Sequence, residues 1–363
     1  MNKVESLMLE FKNNNLKKPA YFLIFIFSIL WFGSCSEEYI VKEGVSGIYI
    51  VTDANTKIIG QELIIEVKTD SGEDITDQSV IYANGEVLSS PSYVAEEVGV
   101  VNLRAEYLNV DSDEVAVEYH DGSQTNFKKR VLVEDYTGTW CGWCPRISHA
   151  LDLVDQQTDD AVFVAIHRAP AGTQDPYIYE DADELELLIE TPGYPKGFIN
   201  RLTQWDFPEP DNVGQVISFT QGVNPKLGLK MSSSIDNNQI NLSVRALFAE
   251  DFQNLKLVVY LLENGLVYPQ VNYTSFFNGE NPIEDYVHDH TLRKTLTNIL
   301  GDEIDNAQTS TGNTYLKEYN FQVPQEVENI DNIEFVAFLT DDEGNVINVR
   351  KSALGEVQDF EFL

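Results

Sequence analysis

Cys141 and Cys144, in the run T-W-C-G-W-C-P-R from Thr139 to Arg146, are the side chains of this sequence best suited to covalent chemistry. Thiolates, not thiols, attack disulfides and bind metals. The apolar run Val131-Leu132-Val133 reads as a buried strand, and from Pro145 to about Gln157 the residues Ile147, Leu151 and Val154 recur at helical spacing. The pair therefore falls at a strand-to-helix junction. A helix beginning near Cys141 would aim unpaired N–H groups and the positive end of its dipole at that sulfur, lowering its pKa. Cys141 is then the attacking sulfur, and Cys144, one turn later and more covered, is placed to resolve a mixed disulfide. Pro145 suits a first helical turn, where it sacrifices no hydrogen bond.

Two other uses of a cysteine pair are poorer fits. A closed zinc site wants four ligands, and the nearest candidate, His149, lies off the helical face of Cys144. A bond closing so short a loop constrains little of the unfolded chain. His288 and His290 would share a face of a strand, with Asp285 and Asp289 nearby, but this ligand set is incomplete and reads as structural. With no phosphate loop, dinucleotide fingerprint or Ser-His-Asp elbow, no metal and no cofactor are expected.

The amino terminus reads as an address. Lys17 and Lys18 precede the apolar run Tyr21 to Phe32, too short for a membrane span, and Gly33-Ser34-Cys35 follows. This pattern resembles the lipobox of bacterial lipoproteins, which implies acylation of Cys35 and a membrane attachment through that lipid. Ser36-Glu37-Glu38 resembles an acidic tag for export to the outer face of the outer membrane. With Cys35 lipidated, Cys141 and Cys144 have only each other, a substrate or a metal to pair with. The formal net charge is −35, and removal of residues 1–34, with four lysines and two acids, makes it more negative. Such a surface repels nucleic acid, which excludes that class of partner.

The remaining chain is too long for one ordinary core. Residues 35–121 alternate apolar and polar positions, with strands at 63–68, 79–82, 100–107 and 114–119 and a hairpin signal at Asn84-Gly85. They are expected to form an immunoglobulin-like β-sandwich. Residues 122–222 run strand, helix, strand, an α/β crossover covered on both faces. Residues 223–363 return to β patterning, with strands at 242–248, 255–262, 335–339 and 346–349. Only Thr291 to Ile299 there has a helical look.

Residues 124–222 resemble the thioredoxin superfamily. Asp135-Tyr136-Thr137-Gly138-Thr139-Trp140-Cys141 is similar to the strand that enters its active site, and Gly193-Tyr194-Pro195-Lys196-Gly197-Phe198-Ile199-Asn200 to its cis-proline segment. The resemblance implies a reversible Cys141–Cys144 disulfide, a buried acid serving Cys144, and a cis-proline beside the dithiol. Asp135 is favoured for the acid over Glu134, which strand alternation sends to the opposite face. Pro195 is favoured for the proline over Pro192. Trp140, Trp143 and Tyr194 would flank the bound substrate. Arg168 to Tyr179 and an acidic helix at 181–189 occupy the position of an inserted cap.

The motifs V-E-D-Y-T-G-T-W-C-G-W-C-P, G-Y-P-K-G-F-I-N-R and D-Y-V-H-D-H-T-L-R together resemble the twenty-eight-kilodalton outer membrane protein family over about residues 125–355. The expectation is an α/β thioredoxin-like domain between two β domains, lipid-anchored at the bacterial outer membrane on its periplasmic face or the cell surface. Its activity would be thiol–disulfide exchange with protein thiols or disulfides. The competing expectation is a binding or adhesion lipoprotein that uses the same fold as a scaffold.

Overall fold

In the computed structural model, Val45 and residues 47–363 are described, and the signal-like segment with Cys35 lies outside the described residues. The organising element is the strand Val131–Thr137, buried at every position. It pairs in parallel with Ala161–His167, Val131 opposite Ala161. On its other side it pairs antiparallel with Lys196–Ile199, Asp135 opposite Gly197. A parallel pair requires a crossover, and the helix Pro145–Asp155 supplies it. Ile147, Ala150 and Val154 share one stripe of that helix and pack on Val131, Val133, Phe163, Ile199 and Trp205. Each fully buried aliphatic side chain contributes roughly 1.5–3 kcal/mol to holding the helix over the strand.

Strands from both sides of residue 222 share one nine-stranded sheet. Beyond Ala161–His167 come Thr291–Thr295, Lys256–Glu263, Ile333–Thr340 and Val346–Ala353. The helix expected at Thr291 to Ile299 is instead a strand, with Thr291 parallel to Ala165 and Leu292 antiparallel to Leu262. Its apolar Leu292 is held in the sheet core by Val258, Tyr260 and Leu262, so packing overrides a weak local helical pattern. One face of this half is covered by a second, three-stranded sheet, Leu227–Asp236, Gln239–Phe248 and Thr314–Gln322. The opposite face of the large sheet gathers Leu132, Tyr136, Phe198, Tyr260 and Phe338 beneath the short helix Asp183–Ile189. The molecule is thus β-rich, with one α/β crossover set into its largest sheet.

The amino-terminal module has two sheets, one of Ile48–Thr52, Glu62–Thr69 and Ser92–Val94 and one of six strands. Asn84 and Gly85 both take positive φ in the turn joining Val80–Ala83 to Glu86–Val87, as a two-residue hairpin requires. The module meets the rest of the chain through Ile58, which packs with Phe127, Leu247 and Ala249. The seam is close at Gly312, where φ is +81° and a Cβ would lie 2.0 Å from the Ile59 carbonyl oxygen.

Candidate functional site

The sulfurs of Cys141 and Cys144 are bonded to each other, with the Cα atoms 5.4 Å apart. The helix begins at Pro145, and Cys144, not Cys141, is its N-cap. The expectation that Cys141 opens the helix is corrected: residues 141–144 form a separate turn, closed by the Cys144 N–H on the Cys141 carbonyl, and only then does the helix start. Pro145 sits at the first helical position, where it has no N–H to give to the Cys141 carbonyl and costs no helical hydrogen bond. Cys144 accepts at its carbonyl from the Ile147 and Ser148 N–H groups. Cys141 is 4% and Cys144 1% exposed.

Asp135 and Glu134 lie on opposite faces of the strand entering this turn, and both are buried. Glu134 faces Arg201, 3.5 Å away, whose guanidinium also donates to the Tyr260 hydroxyl at 2.6 Å and stacks on Phe338. That pair stitches the sheet. Asp135 faces the helix side, and its Oδ1 has no hydrogen-bond partner. Burial, reinforced by the negative charge of Glu209 and opposed by Arg146, raises its pKa well above the usual carboxyl range. Arg146 donates to Glu209, with Nη2 to Oε1 at 3.2 Å, and stacks on Phe207. The face thus holds a proton-binding carboxyl beside an ion pair rooted in the first turn of the helix.

The Tyr194–Pro195 peptide is cis and leads into the strand that pairs with the Asp135 strand, Tyr136 opposite Lys196. Trp140 joins this segment to the dithiol: its Nε1 donates to the Arg168 carbonyl at 2.7 Å, and its ring meets Tyr194 edge-on at 5.5 Å. Tyr194 donates to Glu186, which also takes the buried Lys196 ammonium. Burial and the Glu186 charge push the Tyr194 phenol up to about 12, so it stays protonated. Trp143 is 53% exposed and meets Tyr273 edge-on at 6.0 Å. Trp140, next to Cys141 in the chain, thus links the dithiol turn to Tyr194 and the cis peptide, and Trp143 is exposed on the other side of Cys141 in sequence.

Beside it lies a cleft of about 340 Å³ lined by Asp135, Ser148, His167, Gln270, Tyr286 and His288 among others. His167 Nδ1 is 3.0 Å from Asp175, which is held well as an anion: although burial raises its pKa, the bond and charge of His167 and the N–H groups of Thr139 and Tyr177 bring it below the usual value. His288 donates from Nε2 to the Tyr268 carbonyl at 3.1 Å. Burial and the adjacent His167 depress its pKa to about 4. The expectation that His288 and His290 alternate on one strand does not hold, because the strand ends at His288 and His290 takes φ +56° to face Glu334. Among the described residues, no group of three or more His, Cys, Asp or Glu is arranged to hold a metal ion.

Sequence reasoning missed Arg146, Glu209, Gln270 and the His167–Asp175 pair. Arg146 directly follows Cys-Pro and could have been flagged by that position alone. Glu209, Asp175 and Gln270 lie far from the motif in sequence and carry no local signal.

A family model described as outer membrane protein Omp28 matches residues 182–358. No curated protein matches. Among solved structures, HBP35 of Porphyromonas gingivalis is similar with a TM-score of 0.51 and 18% identity, covering 64% of this chain and 77% of that one. A β-glucosidase from Kluyveromyces marxianus is matched at a TM-score of 0.20 and 10% identity, over 78% of this chain and 42% of that one, too low to carry an argument. The likeness to HBP35 speaks to fold, and the family match supports a location in the outer membrane or envelope.

Proposed function

We propose that this chain is a lipid-anchored envelope protein whose Cys141–Cys144 pair exchanges disulfides with polypeptide substrates through a thioredoxin-like α/β unit. The observation that carries this reading is the bonded pair standing at the end of a strand whose buried Asp135 has an unpartnered oxygen. In the forward direction a substrate thiolate attacks Cys141 Sγ, the Sγ–Sγ bond breaks, and Cys144 leaves as a thiolate that takes a proton from Asp135. A second substrate thiol gives its proton to the Asp135 carboxylate left by the first step and, as a thiolate, attacks the substrate sulfur of the mixed disulfide, and Cys141 leaves as thiolate. The substrate dithiol is oxidised by two electrons and the pair reduced by two, and the reverse sequence is equally balanced. Trp140, Trp143, Tyr194 and the Pro195 backbone border the incoming chain. Expression of a Cys144→Ser variant tests it: mixed disulfides with other envelope proteins should accumulate and vanish on reduction. A variant that runs as a monomer on non-reducing gels would argue against exchange.

The comparisons weigh toward a second reading, a surface binding or adhesion lipoprotein. The family match covers residues 182–358 and begins after both cysteines, so it supports an envelope location without bearing on the dithiol. Protease shaving of intact cells tests the surface location, and under this reading a Cys141→Ser/Cys144→Ser variant remains fully functional on the surface.

A further inference from the structure

The segment Tyr268–Tyr273 lies across the dithiol turn and is bonded to it largely through backbone. The Val271 N–H donates to the Thr139 carbonyl at 2.9 Å, and the Tyr273 N–H to the Gly142 carbonyl at 2.7 Å. Between them, buried Gln270 donates from Nε2 to the carbonyls of Cys141 at 3.0 Å and Gly138 at 3.3 Å. The Tyr273 ring lies flat against Gly142, where a Cβ would meet Tyr273 Cδ2 at 2.3 Å. The carbonyls of Thr139, Cys141 and Gly142 are thus engaged by the segment, and those of Trp143 and Cys144 accept from the Arg146, Ile147 and Ser148 N–H groups at the start of the helix.

The segment is held in shape from behind. Tyr268 N–H donates to Tyr286, and Gln270 and Ile283 exchange backbone bonds in both directions. The Asn272 side chain donates to the Phe276 and Glu280 carbonyls and accepts from the Thr274 N–H. The strap's own shape is thus held by bonds that do not involve the dithiol turn. Its contacts to the dithiol turn need no particular side chain apart from Gln270 and Tyr273, which is the pattern by which one extended chain replaces another.

We propose that residues 268–273 are the resident occupant of a peptide groove over Cys141–Cys144, and that the exchange partner is an extended, unfolded polypeptide segment that takes over the strap's backbone bonds. This rests on the exchange reading, of which it names the substrate class and the control of access. A folded protein with a surface disulfide cannot make those bonds, so it reacts slowly while the strap is down.

Two variants test this without touching either cysteine. Tyr273→Ala removes a ring from a residue that is 59% exposed, and Val271→Pro removes the donor to Thr139. The oxidised full-length protein is mixed with an unstructured single-cysteine peptide or with dithiothreitol, and loss of the disulfide is followed by mass. Loss of one strap contact, the ring against Gly142 in Tyr273→Ala or the bond to Thr139 in Val271→Pro, should raise the rate with the peptide by roughly five- to tenfold in each variant. Amide exchange at Val271 and Tyr273 should be slow in the oxidised wild type and speed up when peptide is present. Wild-type rates in both variants overturn the strap proposal and leave the exchange reading standing. Folded wild type and variants that all resist dithiothreitol overturn both.

Discussion

Asp135 is the residue whose placement costs the fold most clearly. Its carboxyl is buried with one oxygen unpartnered, so the folded state favours the protonated form. A carboxyl raised in the folded state lowers stability increasingly as pH rises above its unfolded pKa and toward its folded one. Asp135→Asn should therefore stabilise the oxidised protein by about 1–3 kcal/mol at pH 8 and change little at pH 4, read by urea unfolding at the two pH values. His288 acts in the opposite sense. Its pKa falls to about 4 on folding, so stability is full above the unfolded value and is lost as pH falls from about 6.5 through 4. The shift corresponds to about 3 kcal/mol, and His288→Gln, which keeps a donor for the Tyr268 carbonyl, should flatten that acid loss. Asp135 was legible in the sequence because strand alternation separates it from Glu134. His288 was not, because its partner His167 lies 121 positions away in the chain and is joined to it only by the fold.

At the scale of elements, the strand Val131–Thr137 and the helix Pro145–Asp155 followed directly from an unbroken apolar run and a helical stripe. The start of the helix did not, because a CxxC turn can either belong to the helix or precede it, and Pro145 is compatible with both. Cys144 is the N-cap, but its side chain makes no capping hydrogen bond, and both sulfurs are held in the disulfide. The strand at Thr291–Thr295 was hidden for a different reason. Its register is set by Lys256–Glu263 and Ala161–His167, partners that local spacing does not reveal. The helix is anchored by Ile147, which is fully buried under the sheet. Ile147→Ala should cost about 2–5 kcal/mol and loosen the turn that carries both cysteines, seen as lower thermal stability with faster reduction of the disulfide.

Across the whole molecule, one sheet joins the dithiol half to the carboxy-terminal half, and the amino-terminal module is attached through a smaller seam. Composition and alternation showed that β structure surrounds a single α/β crossover. They could not show that the crossover and the following strands share a sheet, since that depends on pairings such as Ala165 with Thr291. The seam is tight at Gly312, whose φ of +81° also disfavours any side chain. Gly312→Ala should destabilise docking of the amino-terminal module by about 1–3 kcal/mol and expose residues 120–126 to limited proteolysis, while the melting of the large sheet stays near wild type. The central claim is that the covered Cys141–Cys144 bond is made and broken in the folded protein. Titration of the full-length protein in glutathione redox buffers, with the disulfide followed by mass and the fold by circular dichroism, tests it most directly. A reversible two-electron transition between about −120 and −270 mV with the fold intact is the expected result. A bond that stays oxidised below about −300 mV, or that yields only as the chain unfolds, would contradict it.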